Sequence, residues 1–225
     1  TLRADTGPSP RWLHAMAYDS RRGVTVLFGG YDGPRDGETW EWDGETWTLR
    51  ATTGPSRRGH HSMSYDSARG VTVLFGGYDN DGYVGDTWEW DGTAWTMRGA
   101  PGPSPRKEHA QAYDSARGVT VLFGGYDGTK YSDTWEYRGC AGRERLKKPA
   151  CLDQQGTNQL KVTLKGGIVG DGVTVALTDG STVSCFINAR GKCRAFFNGR
   201  PSGDSGEVLA AWGCGASDQQ FYECP

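Results

Sequence analysis

The nine residues Val24-Thr-Val-Leu-Phe-Gly-Gly-Tyr-Asp32 return as residues 71–79 and again as residues 119–127, at steps of 47 and 48. Upstream of each copy come Gly-Pro-Ser, Arg-x-x-His and Tyr-Asp-Ser, and downstream comes Thr-Trp-Glu-Trp or Thr-Trp-Glu-Tyr. The first two copies finish with Asp-Gly and Trp-Thr. A period of this size marks a solenoid, a propeller or an array. Each unit holds four short β-type runs, at residues 14–18, 24–28, 39–42 and 47–50 in the first copy, separated by Asp- and Gly-containing hairpin turns. The alternation of Val24, Val26 and Phe28 gives each unit a face to bury against a neighbour.

Composition agrees with many short strands. The 225 residues include 35 Gly and 10 Pro, with 36% hydrophobic and 23% charged residues and a net charge of −2. That is too much turn chemistry for a helical bundle. A near-neutral balance leaves no electrostatic footprint for nucleic acid. No apolar run is long enough to span a membrane as a helix, and no signal-peptide pattern opens the sequence.

The paired glycines (Gly29-Gly30, Gly76-Gly77, Gly124-Gly125), the Tyr that follows them and the Trp at a fixed downstream offset resemble the kelch family over about residues 1–139. The resemblance implies a β-propeller in which each repeat is one four-stranded blade. Two features complicate that picture. Three units are too few for ordinary closure, which takes about four to eight blades. The third repeat also stops at Tyr137-Arg138-Gly139 without its outer strand, whereas Thr1-Leu2-Arg3-Ala4 matches Thr48-Leu49-Arg50-Ala51. Two readings stand. Either two chains share a six-bladed ring, each N-terminal strand completing the partner's last blade, or further blades precede residue 1.

All six cysteines (Cys140, Cys151, Cys185, Cys193, Cys214, Cys224) follow residue 139. Their closest spacings are eight and ten residues, unlike the Cys-x-x-Cys pairs of zinc sites, so a disulfide framework in an oxidising compartment is expected. That places the protein outside the cell or at its surface, with the periplasm as an alternative. Residues 140–150, with the run Arg143-Glu-Arg-Leu-Lys-Lys148, read as a charged linker with at most a turn of helix. Alternating runs over residues 151–225 predict a small antiparallel β-sandwich stapled by disulfides, because so small a core is marginal unaided. The expected fold is therefore all-β: kelch-like propeller blades plus a disulfide-rich sandwich.

Differences among the three copies locate the candidate site. Turns such as Asp19-Ser20 with Gly23 barely change, while two segments diverge: the connection after the diglycine strand and the one before the inner strand. Both emerge on one face of a propeller, and loops on a rigid scaffold commonly carry recognition. The candidate ligand-face residues are Trp12, Arg35, His60, Tyr83, Lys107, Lys130 and Tyr131, whose rings and hydrogen-bonding groups suit a protein or glycan surface. Arg11/His14, Arg58/His61 and Arg106/His109 recur in every copy and read as inner-strand framework rather than as a metal site. Residues 79–86 have carboxylate spacing loosely like a calcium loop but lack the bidentate Glu, so no metal or cofactor is expected.

Some kelch-like propellers are enzymes, including copper radical oxidases and sugar-acid mutarotases. The propeller residues here contain no cysteine for the oxidases' cysteine–tyrosine crosslink, and three alike units offer no unique acid–base pair. The expected function is thus an exported, non-catalytic binding or scaffold protein that recognises protein or glycan and self-associates. The alternatives are an extracellular structural subunit assembled by strand exchange and a sugar-active enzyme.

Overall fold

A computed structural model describes residues 1–225 except 34–35, 99–101, 140–144, 148, 155–156, 166–171, 187, 189–191, 201–203, 213–216 and 224–225. The chain divides into two units, Thr1–Arg138 and Gly139–Pro225. No described helix is long and apolar enough to cross a membrane.

In the first unit the repeated Asp-Ser-x-x-Gly closes each inner hairpin. Asp19 Oδ1 accepts from the backbone N–H groups of Arg21 and Arg22, and Gly23, at φ 71°, donates its N–H to the Asp19 carbonyl. Asp66 with Gly70, and Asp114 with Gly118, repeat the arrangement. A side chain that bonds its own turn leaves that turn little conformational choice. The hairpin sets β1 (Ala15–Asp19) against β2 (Val24–Phe28), followed by β3 (Thr39–Trp42) and β4 (Trp47–Ala51) in one antiparallel meander. The second blade repeats it with β5 (Ser62–Asp66), β6 (Val71–Tyr78), β7 (Tyr83–Trp90) and β8 (Trp95–Arg98).

The third blade has three strands: β9 (Ala110–Asp114), β10 (Val119–Phe123) and β11 (Thr134–Tyr137). Residues 1–4, expected as the outer strand of a last blade, form no strand within the chain. The inner strands lie in the order β1, β5, β9, so the N-terminal residues belong beside the first blade, at the other end of the row from β11.

Register gives each blade two faces. Ala17, Val26 and Phe28 of the first blade pack against Met63, Leu74 and Trp90 of the second. The same packing buries carboxylates. Glu41 bonds Arg22 and Arg50 from its own sheet at 2.6 and 2.8 Å and accepts from Trp90 Nε1 of the next blade at 3.0 Å. Glu89 repeats this with Arg69, Arg98 and the Tyr137 hydroxyl. The diglycines permit close approach of successive blades: Gly77, at φ 108°, donates to the Arg106 carbonyl, and a Cβ on Gly76 would stand 2.6 Å from that carbonyl oxygen.

The second unit is an antiparallel sandwich. One sheet joins β12 (Arg145–Leu146), β13 (Ala150–Gln154), β14 (Thr157–Lys165) and β17 (Lys192–Arg200); the other orders β16 (Thr182–Phe186), β15 (Gly172–Leu177), β18 (Ser205–Trp212) and β19 (Ser217–Glu223). Leu160, Val162, Leu164, Ala195 and Phe197 of the first sheet close on Val173, Val175, Leu177, Val208 and Ala210 of the second. One expectation is corrected here. Residues 140–150 are not wholly a linker with a turn of helix: Arg145 and Leu146 pair with Lys165 and Leu164, and Ala150 begins β13. The exposed edge of β14 offers backbone bonds that an isolated helical turn cannot match.

Cys185 and Cys193 are joined across β16 and β17. Cys140, Cys214 and Cys224 lie outside the described residues, and of Cys151 only the backbone, in β13, is described. Replacing Cys185 and Cys193 together by serine is expected to lower the stability of this unit by about 2–3 kcal/mol, the chain-entropy value for so short a loop. Urea denaturation with and without reductant, followed at Phe197 and Tyr222 signals, checks it.

Candidate functional site

The segment before each inner strand pairs with the Tyr after each diglycine. Trp12 bridges Tyr31, Gly59 bridges Tyr78, and Lys107 bridges Tyr126. The next residue in each copy, Leu13, His60 and Glu108, takes a positive φ of 58–60°. These three are linked in series: His60 donates its N–H to the Leu13 carbonyl, and Glu108 donates to the His60 carbonyl, each at 3.0 Å. Non-glycine residues in this region are uncommon and cluster at functional sites. The two divergent segments thus meet on one rim of the propeller unit.

Aromatic side chains line that rim. Trp12 is exposed and meets Tyr31 edge-on at 5.8 Å. Tyr78, Tyr83 and Tyr126 form a chain of edge contacts at 5.1 and 6.2 Å. Lys107 Nζ lies over the rings of Tyr78 and Tyr126 at 5.7 and 5.9 Å and pairs with Glu108 at 3.4 Å. His60 Nδ1 stands 3.1 Å from Glu108. Two clefts open between these groups. One of about 300 Å³ is lined by Trp12, Leu13, Tyr31, Gly59 and His60. The other, about 650 Å³, is lined by Lys107, Glu108, Phe123, Tyr126, Lys130 and Tyr131, among others.

Of the sequence-derived ligand-face residues, Trp12, His60, Tyr83, Lys107, Lys130 and Tyr131 stand on this rim, and Arg35 lies outside the described residues. Tyr131 is partly committed: it stacks on Arg106 with 4.0 Å from guanidinium to ring centre and donates its hydroxyl to Asp127 at 2.6 Å. Sequence comparison missed Leu13, Tyr31, Tyr78, Tyr126 and Glu108. The tyrosines were hidden because they repeat in phase and read as framework.

The repeated arginines and histidines hold the scaffold. Buried Arg58 donates to the Gly76 carbonyl and to Asp86, and Arg106 does the same with Gly124 and Asp133. Arg11 reaches Gly29, Glu38 and Asp36. Each thereby ties a diglycine to the start of the next strand. His61 packs edge-on against Phe28, and His109 against Phe75. Burial, reinforced by the Arg58 charge, drops the His61 pKa to about 3, and burial drops His109 to about 4, so both are neutral wedges between blades. The His14 pKa is lowered too, by burial and Arg11. Among the described residues no group of three or more His, Cys, Asp or Glu is placed to hold a metal ion. In the segment that resembles a calcium loop, Asp79 is engaged by the N–H groups of Asp81 and Gly82 and by the Ser56 hydroxyl.

Residues 3–139 match the family model described as the KLHDC2/KLHL20/DRC7 Kelch-repeats domain. The chain belongs to the kelch-repeat family. Kelch repeats generally serve as binding domains and commonly bind proteins, so the first unit is a protein-interaction scaffold in general character. No curated protein matches the chain in sequence. Among solved structures, one described as "Structure of YjhT" is 12% identical, with a TM-score of 0.48, over 96% of this chain and 83% of that one. The disulfide of the second unit is compatible with an extracellular location.

Proposed function

We propose that this kelch protein is an exported, non-catalytic scaffold that binds a protein or glycan surface through the rim carrying Trp12, His60, Tyr83 and Lys107. The observation that carries the reading is the aromatic chain Tyr78–Tyr83–Tyr126 with Lys107 across two of its rings. Flat rings with a cation beside them give stacking area together with a hydrogen-bond donor, the combination that sugar rings and protein side chains both use. The non-catalytic reading rests on the framework roles of the repeated polar residues. Each Arg is engaged by a diglycine carbonyl and a carboxylate, and His61 and His109 are neutral and buried. Export is supported by the Cys185–Cys193 disulfide, since such bonds persist in oxidising compartments.

Binding to arrays of printed glycans and surface peptides tests this reading. Tyr83→Ala is expected to weaken binding about tenfold to a hundredfold, as loss of an aromatic anchor does. Glu45→Ala, in the exposed β3–β4 turn at the other end of the strands, is expected to leave it unchanged. Equal loss in both variants, or none in Tyr83→Ala, overturns the assignment of the rim.

A further inference from the structure

The two sheets of the second unit differ in charge. β15, β16, β18 and β19 contain no Lys or Arg, and Glu207, Asp218 and Glu223 lie on them. β14 and β17 contain Lys161, Lys165, Lys192, Arg194 and Arg200, and no Asp or Glu. Arg200 is engaged by Asp179 and Asp204. Among the described residues the other four have no carboxylate partner. Leu160, Val162 and Leu164 of β14 and Cys193, Ala195 and Phe197 of β17 fill the core. The period of two therefore turns Lys161, Thr163, Lys165, Lys192, Arg194 and Phe196 outward. Lys147, whose N–H bonds the Thr163 carbonyl, is exposed beside them.

This crowding works against the fold. Lys165 and Lys192 stand directly opposite each other in the β14–β17 pair, and like charges at such positions are destabilising. Lys147, within hydrogen-bond reach, and then Lys192 hold the Lys165 pKa below the ordinary lysine value. With strands about 4.8 Å apart and about 3.3 Å per residue along them, the five cations fall within a patch about 13 Å long and about 10 Å wide. Lysines often guard exposed sheet edges. That role does not account for Lys161 or Lys165, because β14 lies inside its sheet, with β12 and β13 on one side and β17 on the other. A cluster that costs stability and guards no edge points to a functional surface.

A concavity adjoins the patch. A cleft of about 310 Å³ is lined by Phe186, Asn188, Lys192 and Arg194 and by the joined Cys185 and Cys193. Phe186 is 74% exposed. Phe196, opposite Lys161 in register, is exposed on the cationic face itself. Cations with open rings among them offer charge and stacking area together.

We infer that this face is a second binding site, whose occupant is an acidic polysaccharide. Carboxylate or sulfate groups along the polymer meet Lys147, Lys161, Lys165, Lys192 and Arg194, and a sugar ring stacks on Phe186 in the cleft. Four of the five cations are lysines, compact point charges suited to anions spaced along a chain, whereas phosphate and nucleic-acid recognition favours the planar fork of arginine. The centre of the face is polar, with Thr163 between Lys147 and Arg194, and carries no apolar wedge for a bilayer. The Cys185–Cys193 disulfide suits an oxidising compartment, where the long polyanions a protein meets are chiefly polysaccharides. The inference stands apart from the rim reading, since it uses no residue of the first unit.

Binding of the whole chain to heparin, a polysaccharide carrying both carboxylate and sulfate, tests the inference against neutral dextran, a short single-stranded DNA and phosphatidylglycerol vesicles. The chain is expected to bind heparin more tightly than any of the three, and less tightly as salt rises. Lys165→Glu creates an opposite-charge pair with Lys192, so resistance to urea is expected to hold or rise while heparin affinity falls at least about tenfold. Arg194→Glu is expected to repeat the loss of affinity. Arg21→Glu makes the same change in net charge at an exposed position in the β1–β2 turn, and is expected to leave affinity unchanged. Absence of heparin binding, the result if the chain's own carboxylates cover the face, would overturn the inference. So would tighter binding to DNA or vesicles, or equal losses in Lys165→Glu and Arg21→Glu.

Discussion

Replacing Glu89 by glutamine is expected to lower the stability of the propeller unit by about 3–5 kcal/mol, the cost of breaking a buried ion network by removing one partner. Glu89 receives Arg69 and Arg98 from its own sheet and the Tyr137 hydroxyl from the next blade. Glutamine keeps the shape but takes the Glu89 charge from Arg98 and leaves the mostly buried Arg69 with Asp66 as its carboxylate. The third repeat supplies an internal control. Glu136 occupies the same position, is exposed, and among the described residues pairs with Arg117. Glu136→Gln is expected to cost less than about 1 kcal/mol, as exposed pairs do. Urea denaturation of the two variants decides the matter, and equal losses would show that the position matters through strand propensity instead.

Acid is expected to destabilise the same unit well before its carboxylates titrate. His61 and His109 are neutral in the fold, with pKa values of about 3 and about 4 set chiefly by burial. In the unfolded chain both protonate near the ordinary value of about 6.5. The unfolded state therefore binds more protons below that pH, and stability falls as pH falls. The contribution is complete above about pH 6.5 and is lost progressively toward pH 4. At pH 4.5 each histidine costs about 2–3 kcal/mol relative to pH 7. Denaturation midpoints across pH 4.5–7.5 measure it. His61→Leu, which keeps an apolar wedge against Phe28, is expected to remove about half of the slope, and an unchanged slope would place the acid sensitivity in other groups.

Both effects arise at blade junctions, where the repeat stacks one unit on the next. The rim proposed to bind a partner is carried on segments held by the Arg11, Arg58 and Arg106 networks.

Local patterns in the sequence were enough for the blades. The threefold Val-Thr-Val-Leu-Phe-Gly-Gly run, the period-two alternation and the Asp-Ser-x-x-Gly turns place β2, β6 and β10 and their hairpins, because side-chain alternation and turn chemistry act over a few residues. The rim was legible only where the copies differ. Trp12, His60 and Lys107 stood out against their counterparts, whereas Tyr31, Tyr78 and Tyr126 did not, since an identical residue in every copy looks like framework whatever it touches. The tertiary structure alone decided the rest. The Glu of Thr-Trp-Glu looks like an ordinary surface carboxylate, yet the partners that bury Glu89 lie 9, 20 and 48 residues away, on two other strands and in the β5–β6 turn. The pairing of Arg145-Leu146 with β14, eighteen or more residues on, has the same origin. Short-range pattern determines which residues become strands; which strands meet, and which charges they bury, depends on contacts that no local pattern records.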